Sequence, residues 1–574
     1  MSFIRRLRLR YLCSLFFVLT PLLAACASQA PATATSAPAT ATTARPAATA
    51  AGGAATSVAS PAAAASPARP APQQGGRLVV ALDQTPPTLD PHASPSAVTY
   101  EMTSSVFETL LYQDAGGKLA PYLAESYEAS ADGKTYTFKL RKDVKFSDGT
   151  PFNAEAVKYN FDRIVDPNYK AGGALTALAG YDKTEVVDEF TARVTFKTPN
   201  APFLVYSAGG TLGMVSPTAT KAQTAEQVTQ KPVGSGPFVI KELVASDHAI
   251  LVRNESYNRR APWSDHSGPA YLDEIDFKFV PEDATRATTL ESGETQMIHN
   301  IPTQSLGRFE GASGYKVEKA AYTGAPRFTA LNVKLFPTDD PAVRKAILLA
   351  TNKDAIVNNS YKGTGTVANG PLTAGFLEVP GLKDLYPYNP TQAKKVLDDA
   401  GWKAGADGIR AKDGKRLELT INAIDRGSGI DNFIPLLQAQ WREVGIDAKI
   451  KAQARAPWYE DNYKCVNNAI PLFLRSTDWD GLFALYHTSM IGTNFNFSCY
   501  SSPDVDKLLE QGKAETDTNK RKDLYVQASQ KIMADAAVLP LVDELSVWGF
   551  KSNVSGLVFN GAAYPIFSDV AIAK

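Results

Sequence analysis

The sequence predicts a body that mixes α/β with α+β structure, and three patterns predict it. Between residues 417 and 451 an alternating strand, a segment of helical period and a second alternating strand follow one another through short connections. At Asp132-Gly133 a hairpin-type turn leads into a run that alternates strictly. Asp340-Pro341 and Asn389-Pro390 each read as a helix start, a capping side chain followed by a proline with no N–H to lose at the first helical position.

The first 25 residues carry an address. Arg5, Arg6, Arg8 and Arg10 form a basic head, and residues 11–25 form an apolar stretch of about 15 residues, long for a signal core and short for a bilayer span. The stretch ends in Leu23-Ala24-Ala25-Cys26, which resembles a bacterial lipobox, and that resemblance makes Cys26 the lipidated first residue of the mature protein. The residues around Arg5-Arg6 fit a twin-arginine signal poorly, so general secretion is the expected route.

Lys and Arg number 59, as do Asp and Glu; four of the bases fall in the first 25 residues, which hold no acid, so the remainder carries a net charge of −4. With no basic block, nucleic acid is excluded as a partner. Cysteine use fits export. After Cys13 and Cys26 only Cys465 and Cys499 remain, and an oxidising compartment permits two arrangements: a disulfide closing a loop of about 35 residues, or two separate thiols.

Residues 27–74 are almost wholly Ala, Thr, Ser, Pro and Gly, a composition that cannot bury a core and reads as a tether. As a flexible coil it spans roughly 35–40 Å. The body begins near Gly76. Arg77–Leu82 reads as a buried strand. After the Asp132-Gly133 turn, Tyr136, Phe138 and Leu140 share one face. Asn153 caps a helix with Val157, Phe161, Ile164 and Val165 on its apolar side, and Pro167 stops it. The helix begun at Asn389-Pro390 ends at Gly401. Leu417, Leu419, Ile421 and Ala423 make a half-buried strand. Phe433, Leu437, Trp441 and Val444 follow a helical period closed by Gly445. Ile446, Ala448 and Ile450 alternate again, so the unit is βαβ with parallel strands. No internal repeat is visible.

Catalytic signatures are missing. There is no nucleophile elbow, HExxH or phosphate-binding loop. His92, His248, His266, His299 and His487 are scattered, none paired at helical spacing, so no metal site and no cofactor are expected.

Several collinear stretches carry a resemblance: Pro87-Thr88-Leu89-Asp90-Pro91; Val106-Phe107-Glu108-Thr109-Leu110; Leu119-Ala120-Pro121-Tyr122-Leu123-Ala124-Glu125-Ser126; Phe138-Lys139-Leu140-Arg141 with Val144-Lys145-Phe146-Ser147-Asp148-Gly149-Thr150-Pro151-Phe152; and Val233-Gly234-Ser235-Gly236-Pro237-Phe238. Val343-Arg344-Lys345-Ala346 and Ala400-Gly401-Trp402 extend it. In these the chain resembles family 5 of the bacterial extracellular solute-binding proteins, which includes the oligopeptide-, dipeptide- and nickel-binding receptors of ABC importers.

The resemblance implies a two-lobed, periplasmic-binding-protein-like fold, type II and large, with an extra subdomain and a ligand cleft between lobes. It places lobe I at 76–112, 232–325 and 540–574, the subdomain at 113–231 and lobe II at 326–539, after a signal at 1–25 and the lipidated tether at 26–75. It implies a monomeric, non-enzymatic receptor, anchored outside the cytoplasm by lipid, that serves an ABC permease and its ATPase. A peptide is the first expected ligand, an oligosaccharide or other small solute the next. A tethered glycosidase or a non-transporting sensor is the reading outside that class.

The resemblance also implies a site. In peptide-binding members an aspartate at a strand end holds the ligand ammonium; Asp478 is the match, with Asp480 the alternative. Those members commonly continue Asp-Tyr-Pro-Asp-Pro, whereas here the run is Asp478-Trp479-Asp480-Gly481-Leu482. Trp479 is open to stacking on a sugar or aromatic ring, or to packing in hinge or core. Arg475 is open to meeting a ligand carboxylate or to standing on the surface. Tyr100 is a further cleft candidate.

Overall fold

The computed structural model describes residues 73–94, 96–425 and 430–573. The signal, Cys26 and the tether up to residue 72 lie outside them. Among the described residues no helix is long and apolar enough to cross a membrane.

Twelve strands form the main sheet. Its order runs Asp447–Gln453, Glu418–Ile424, Ala469–Arg475, Gly324–Leu331, Val538–Lys551, Met297–His299, Arg77–Leu82, Glu274–Phe279, His248–Arg253, Phe238–Val244, with Tyr315–Ala321 and Gly365–Val367 also paired to Val538–Lys551. The 14-residue strand Val538–Lys551 belongs to both halves. Its first part pairs with Gly324–Leu331 and Gly365–Val367, its second with Met297–His299 and Tyr315–Ala321. The chain passes between the halves a second time at Tyr322-Thr323, between Tyr315–Ala321 and Gly324–Leu331.

Three large apolar cores follow from this layout. One gathers residues between Ala325 and Val542, a second joins Arg77–Leu82 and Glu274–Phe279 to Trp548, Phe550 and Phe567, and a third lies between Leu110 and Met214. The third is centred on aromatic rings: Phe203 lies 4.8 Å from Phe196 and 5.1 Å from Tyr136, tilted as ring quadrupoles prefer. It sits between a four-stranded antiparallel sheet and the helix Ala154–Val165.

Local chemistry sets the elements as the sequence predicts. The Asn153 side chain accepts from the Ala156 amide and the helix ends at Val165, ahead of Pro167. Asp340 and Asn389 cap Pro341–Ala350 and Pro390–Asp399, each with proline in the first turn. Gly401 and Gly445 take the left-handed conformation (φ +88° and +90°) that an L side chain resists. Glu418–Ile424 and Asp447–Gln453 are parallel, joined through the helix Phe433–Glu443.

One strand departs from expectation. Glu418–Ile424 was expected half-buried, yet Asn422 is fully buried beside its apolar residues. The helix Arg455–Tyr463 accounts for it: Trp458 donates its indole N–H to the Asn422 carbonyl at 2.8 Å, and the Asn422 amide donates to Asn462 at 2.9 Å. The strand is therefore covered on a second face at Asn422, whose amide is hydrogen-bonded there. Buried tryptophans elsewhere in this core obey the same rule, with Trp441 donating to Thr351 and Trp402 to Asp340.

Candidate functional site

The site is built where the two halves exchange chain. Gly324 opens its strand opposite Arg475, in left-handed backbone (φ +103°). A Cβ there would stand 2.4 Å from the Leu474 carbonyl and the Ser476 amide, so only glycine permits the approach that fixes the end of Ala469–Arg475.

That strand end carries Phe473 and Arg475 toward the junction. The Arg475 guanidinium lies 3.6 Å from the Tyr322 ring centre and 4.8 Å from that of Phe473; Arg327 lies 4.4 Å from Phe473. Arg475 Nη2 donates to Glu544 Oε2 at 2.9 Å, while Arg327 Nε and Nη2 donate to Glu544 Oε1 at 3.1 and 2.9 Å. Arg475 Nη1 is buried with no hydrogen-bond partner. Burial would raise the Glu544 carboxyl, but the two arginines outweigh it and hold it below the usual range. Phe473 remains exposed.

The first half contributes an acid–imidazole group. His299 Nδ1 lies 3.1 Å from Asp83 Oδ1 and 3.3 Å from Glu101 Oε2, and its ring stacks on Trp548 at 4.3 Å. Burial opposes an imidazolium, yet Glu101 and Asp83 prevail and raise the His299 pKa. Burial raises Glu101 as well, with His299 and Arg475 pulling the other way and Asp83 adding to the rise. For Asp83 burial is overcome by His299 and Asn300, and its carboxyl is held far below the usual range. Glu101 therefore feels charge from both halves. A third approach comes from the region of the aromatic core: the Ala201 amide donates to the Lys513 carbonyl at 2.9 Å, and the Tyr206 hydroxyl is driven up by burial and then by Asp480 and Asp478.

The expected site residues separate on this geometry. Asp478, the expected ammonium partner, is only 2 % exposed, with both oxygens taken by Arg521 at 2.5 and 2.8 Å. Its carboxylate is thus already paired inside its own half, to Arg521. Asp480 accepts from the Tyr525 hydroxyl at 3.2 Å, and burial pushes its carboxyl up to about 6. Trp479 donates to the Phe376 carbonyl at 3.0 Å and, partly buried, packs against the larger core. Tyr100 is buried, its hydroxyl 2.8 Å from the Ser94 carbonyl and its ring 5.9 Å from Tyr564. Of the five candidates Arg475 alone reaches the junction with a donor unspent. Cys465 and Cys499 are bonded, with Cα atoms 6.2 Å apart.

Sequence reasoning missed Asp83, Glu101, His299, Arg327 and Glu544. Two of them left a trace: Arg327 is the one charge in Gly324–Leu331, and Glu544 stands with Asp543 in the mostly apolar Val538–Lys551, where a buried charge needs a partner or a ligand. A surface cavity of about 630 Å³ is lined by Tyr159, Asp162, Arg163 and Lys221 among others and includes none of the junction residues. Among the described residues no cluster of three or more His, Cys, Asp or Glu could hold a metal ion.

A two-lobed body whose halves share one strand and face each other with charged side chains has the architecture of a ligand-binding receptor. The model of bacterial extracellular solute-binding proteins, family 5, matches residues 118–494, and the chain belongs to that family. It is 31 % identical over 493 residues to the glutathione-binding protein GsiB of Pectobacterium atrosepticum, covering 83 % of this chain and 90 % of that one. Among solved structures it is similar to the periplasmic binding protein DppA of Helicobacter pylori in complex with the peptide STSA (26 % identity, TM-score 0.72, 88 % of this chain and 99 % of that one). It is also similar to NikA of Brucella suis in complex with Fe(III)-EDTA (28 % identity, TM-score 0.76, 87 % and 100 %).

Proposed function

We propose that the protein is a lipid-anchored receptor that captures a short peptide between its lobes outside the cytoplasm and delivers it to an ABC permease. The observation that carries this reading is the shared strand Val538–Lys551, which with Tyr322-Thr323 joins two bodies across a junction lined by charged and aromatic side chains. Two crossings so close together make a hinge, and ligand contacts made only when the lobes meet shift the population toward closure. Lobe I takes the strands up to Ala321 and from Leu545 onward, lobe II those between, and residues 113–231 ride on lobe I.

Peptide is the preferred ligand because the curated relatives bind glutathione and a solved neighbour holds a tetrapeptide. Main-chain groups are common to all peptides, so bonding them serves many sequences. The site offers no nucleophile–base pair among its named residues, which favours a receptor without turnover. Cys26 supplies the anchor, and one copy of the chain completes the site.

Mass spectrometry of small molecules released from natively purified protein tests the reading. Peptides of common length and varied sequence support it. Sugars or metal chelates keep the receptor and replace the ligand. Conversion of the bound molecule on incubation overturns the receptor role.

A further inference from the structure

We propose that the Asp132-Gly133 turn and residues 199–206 form a clasp on the helix Pro503–Ala514, a third and non-covalent link between the two bodies that favours the closed form without help from the ligand. The clasp rests on the two-lobed receptor reading for which parts move, and not on the identity of what is bound.

One side of the clasp is built on the aromatic core. Phe203 is fully buried there, and the Tyr136 hydroxyl donates to the Gly133 and Asn200 carbonyls at 3.1 and 2.9 Å. The Asn200 amide in turn donates to the Gly133 carbonyl at 3.0 Å. Turn and segment are thereby fastened to each other and move as one edge.

The other side is the C-terminal end of Pro503–Ala514. The last carbonyls of a helix find no partner within it. Here the Gln511 carbonyl takes the Glu515 amide at 2.9 Å, that of Gly512 takes Arg521 Nε at 2.8 Å, and that of Lys513 takes the Ala201 amide at 2.9 Å. Glu515 and Arg521 follow the helix closely in sequence, whereas Ala201 comes from the other body. One residue further on, the turn approaches so closely that a Cβ on Gly133 would stand 3.2 Å from the Ala514 carbonyl and 3.5 Å from Thr516 Cγ2. Gly133 is left-handed (φ +65°), so the same residue makes the turn and permits the approach. Tyr206 ends the segment near the Asp478–Asp480 loop, where burial first and then the charges of Asp480 and Asp478 drive its hydroxyl up.

The 113–231 region is held unequally on its two sides. Toward lobe I, Arg163 Nη1 donates to Asp90 Oδ1 at 3.2 Å and the Tyr169 hydroxyl to Asp90 Oδ2 at 2.8 Å. The Gly172 and Met214 amides donate to the His92 and Glu108 carbonyls at 2.8 and 2.9 Å. Asp90 is 1 % exposed, so parting it from Arg163 would strand a buried charge. Toward Pro503–Ala514 the link is a main-chain hydrogen bond and a close approach, and a peptide N–H and C=O that part into water are both re-bonded there at little net loss. Opening therefore runs through the clasp, and closing remakes the same contacts whatever the cleft holds.

The test is hydrogen exchange read at single amides, with small-angle X-ray scattering, on the ligand-free full chain. In the unaltered protein the Ala201 amide is expected to exchange about tenfold or more faster than those of Gly172 and Met214, once intrinsic rates are divided out. Thr516→Trp sets a large ring on an exposed residue that faces the turn. It should speed Ala201 by a further factor of about three or more, leave Gly172 and Met214 unchanged, and raise the radius of gyration. Melting curves of the variant report folding, and the first comparison needs no variant. An Ala201 amide as well protected as those of Gly172 and Met214 means a static contact and overturns the clasp. A folded Thr516→Trp protein with unchanged Ala201 exchange, or with the radius of the unaltered protein, overturns it too. No ligand enters the experiment, so these outcomes leave the peptide reading to the mass spectrometry of released molecules.

Discussion

Asp478 and Arg521 form a buried two-pronged ion pair, Oδ1 accepting from Nη2 at 2.5 Å and Oδ2 from Nη1 at 2.8 Å, with side chains 2 % and 9 % exposed. Arg521 also donates through Nε to the Gly512 carbonyl at 2.8 Å, so the pair ties the loop before Gly481–Tyr486 to the helices Pro503–Ala514 and Thr518–Ala534. Removing one member of a buried pair strands the other charge, at a cost of about 3–5 kcal/mol. Asp478→Asn is therefore expected to lower the urea midpoint sharply, and a second change, Arg521→Met, to recover part of the loss. A variant of normal stability with impaired ligand affinity would return Asp478 to the binding site.

Gly324 offers a prediction that links backbone to function. Alanine at this position meets Leu474 and Ser476 backbone atoms at 2.4 Å in a conformation L residues resist. The strands must part, and Arg475, directly opposite, moves with them. Gly324→Ala should cost about 2 kcal/mol or more in stability and weaken ligand binding together with it. Unaltered affinity in a destabilised variant would show that Arg475 does not depend on this contact.

Much of the fold was legible because it is written locally. Asn153, Asp340 and Asn389 each cap the helix that their sequence marks, and the βαβ unit at 418–453 follows from periodicity alone. The site was not local. Glu544 is about 70 residues from Arg475 and over 200 from Arg327 along the chain, and periodicity says nothing of such pairings. The resemblance pointed to the strand end at Arg475, and the acid it singled out pairs with Arg521. The distinction between Asp478 and Arg475 rests on the helix Thr518–Ala534, whose Arg521 no motif had singled out.

The Cys465–Cys499 bond joins positions 34 apart in sequence and closes a loop that contains the strand Ala469–Arg475 and the helix Gly481–Tyr486. On the chain-entropy account such a crosslink stabilises by roughly 3–4 kcal/mol. Reduction should therefore lower the denaturation midpoint, and because Arg475 lies within the loop, ligand should protect the reduced form less than the oxidised one. Alkylation with intact-mass analysis before reduction should find neither thiol modified; two alkylated cysteines would remove the crosslink.

The hinge strand carries a pH dependence of its own. Asp543 precedes Glu544 in Val538–Lys551; its Oδ2 accepts from the Ala374 amide at 3.1 Å, and its Oδ1 is buried without a partner. Burial pushes the carboxyl from 3.8 up to about 6, with the Ala374 amide and Lys353 opposing only in part. Between these values the folded protein keeps a proton that the unfolded chain has released, so stability falls as pH rises from about 4 to 6 and the full penalty persists above. Two pH units correspond to about 3 kcal/mol at most. Asp480, raised likewise to about 6, adds a contribution of the same sign. Lys353 acts at the other end: burial lowers it from 10.5 to about 8, so it returns stability as pH climbs between those values. Asp543→Asn should leave stability unchanged near pH 4, raise it by about 1–3 kcal/mol at pH 7, and remove only part of the slope between, the rest belonging to Asp480. Urea denaturation at both pH values checks this, and equal loss of stability at pH 4 and 7 would mean that the carboxyl's hydrogen bond to Ala374, rather than its charge, governs the hinge.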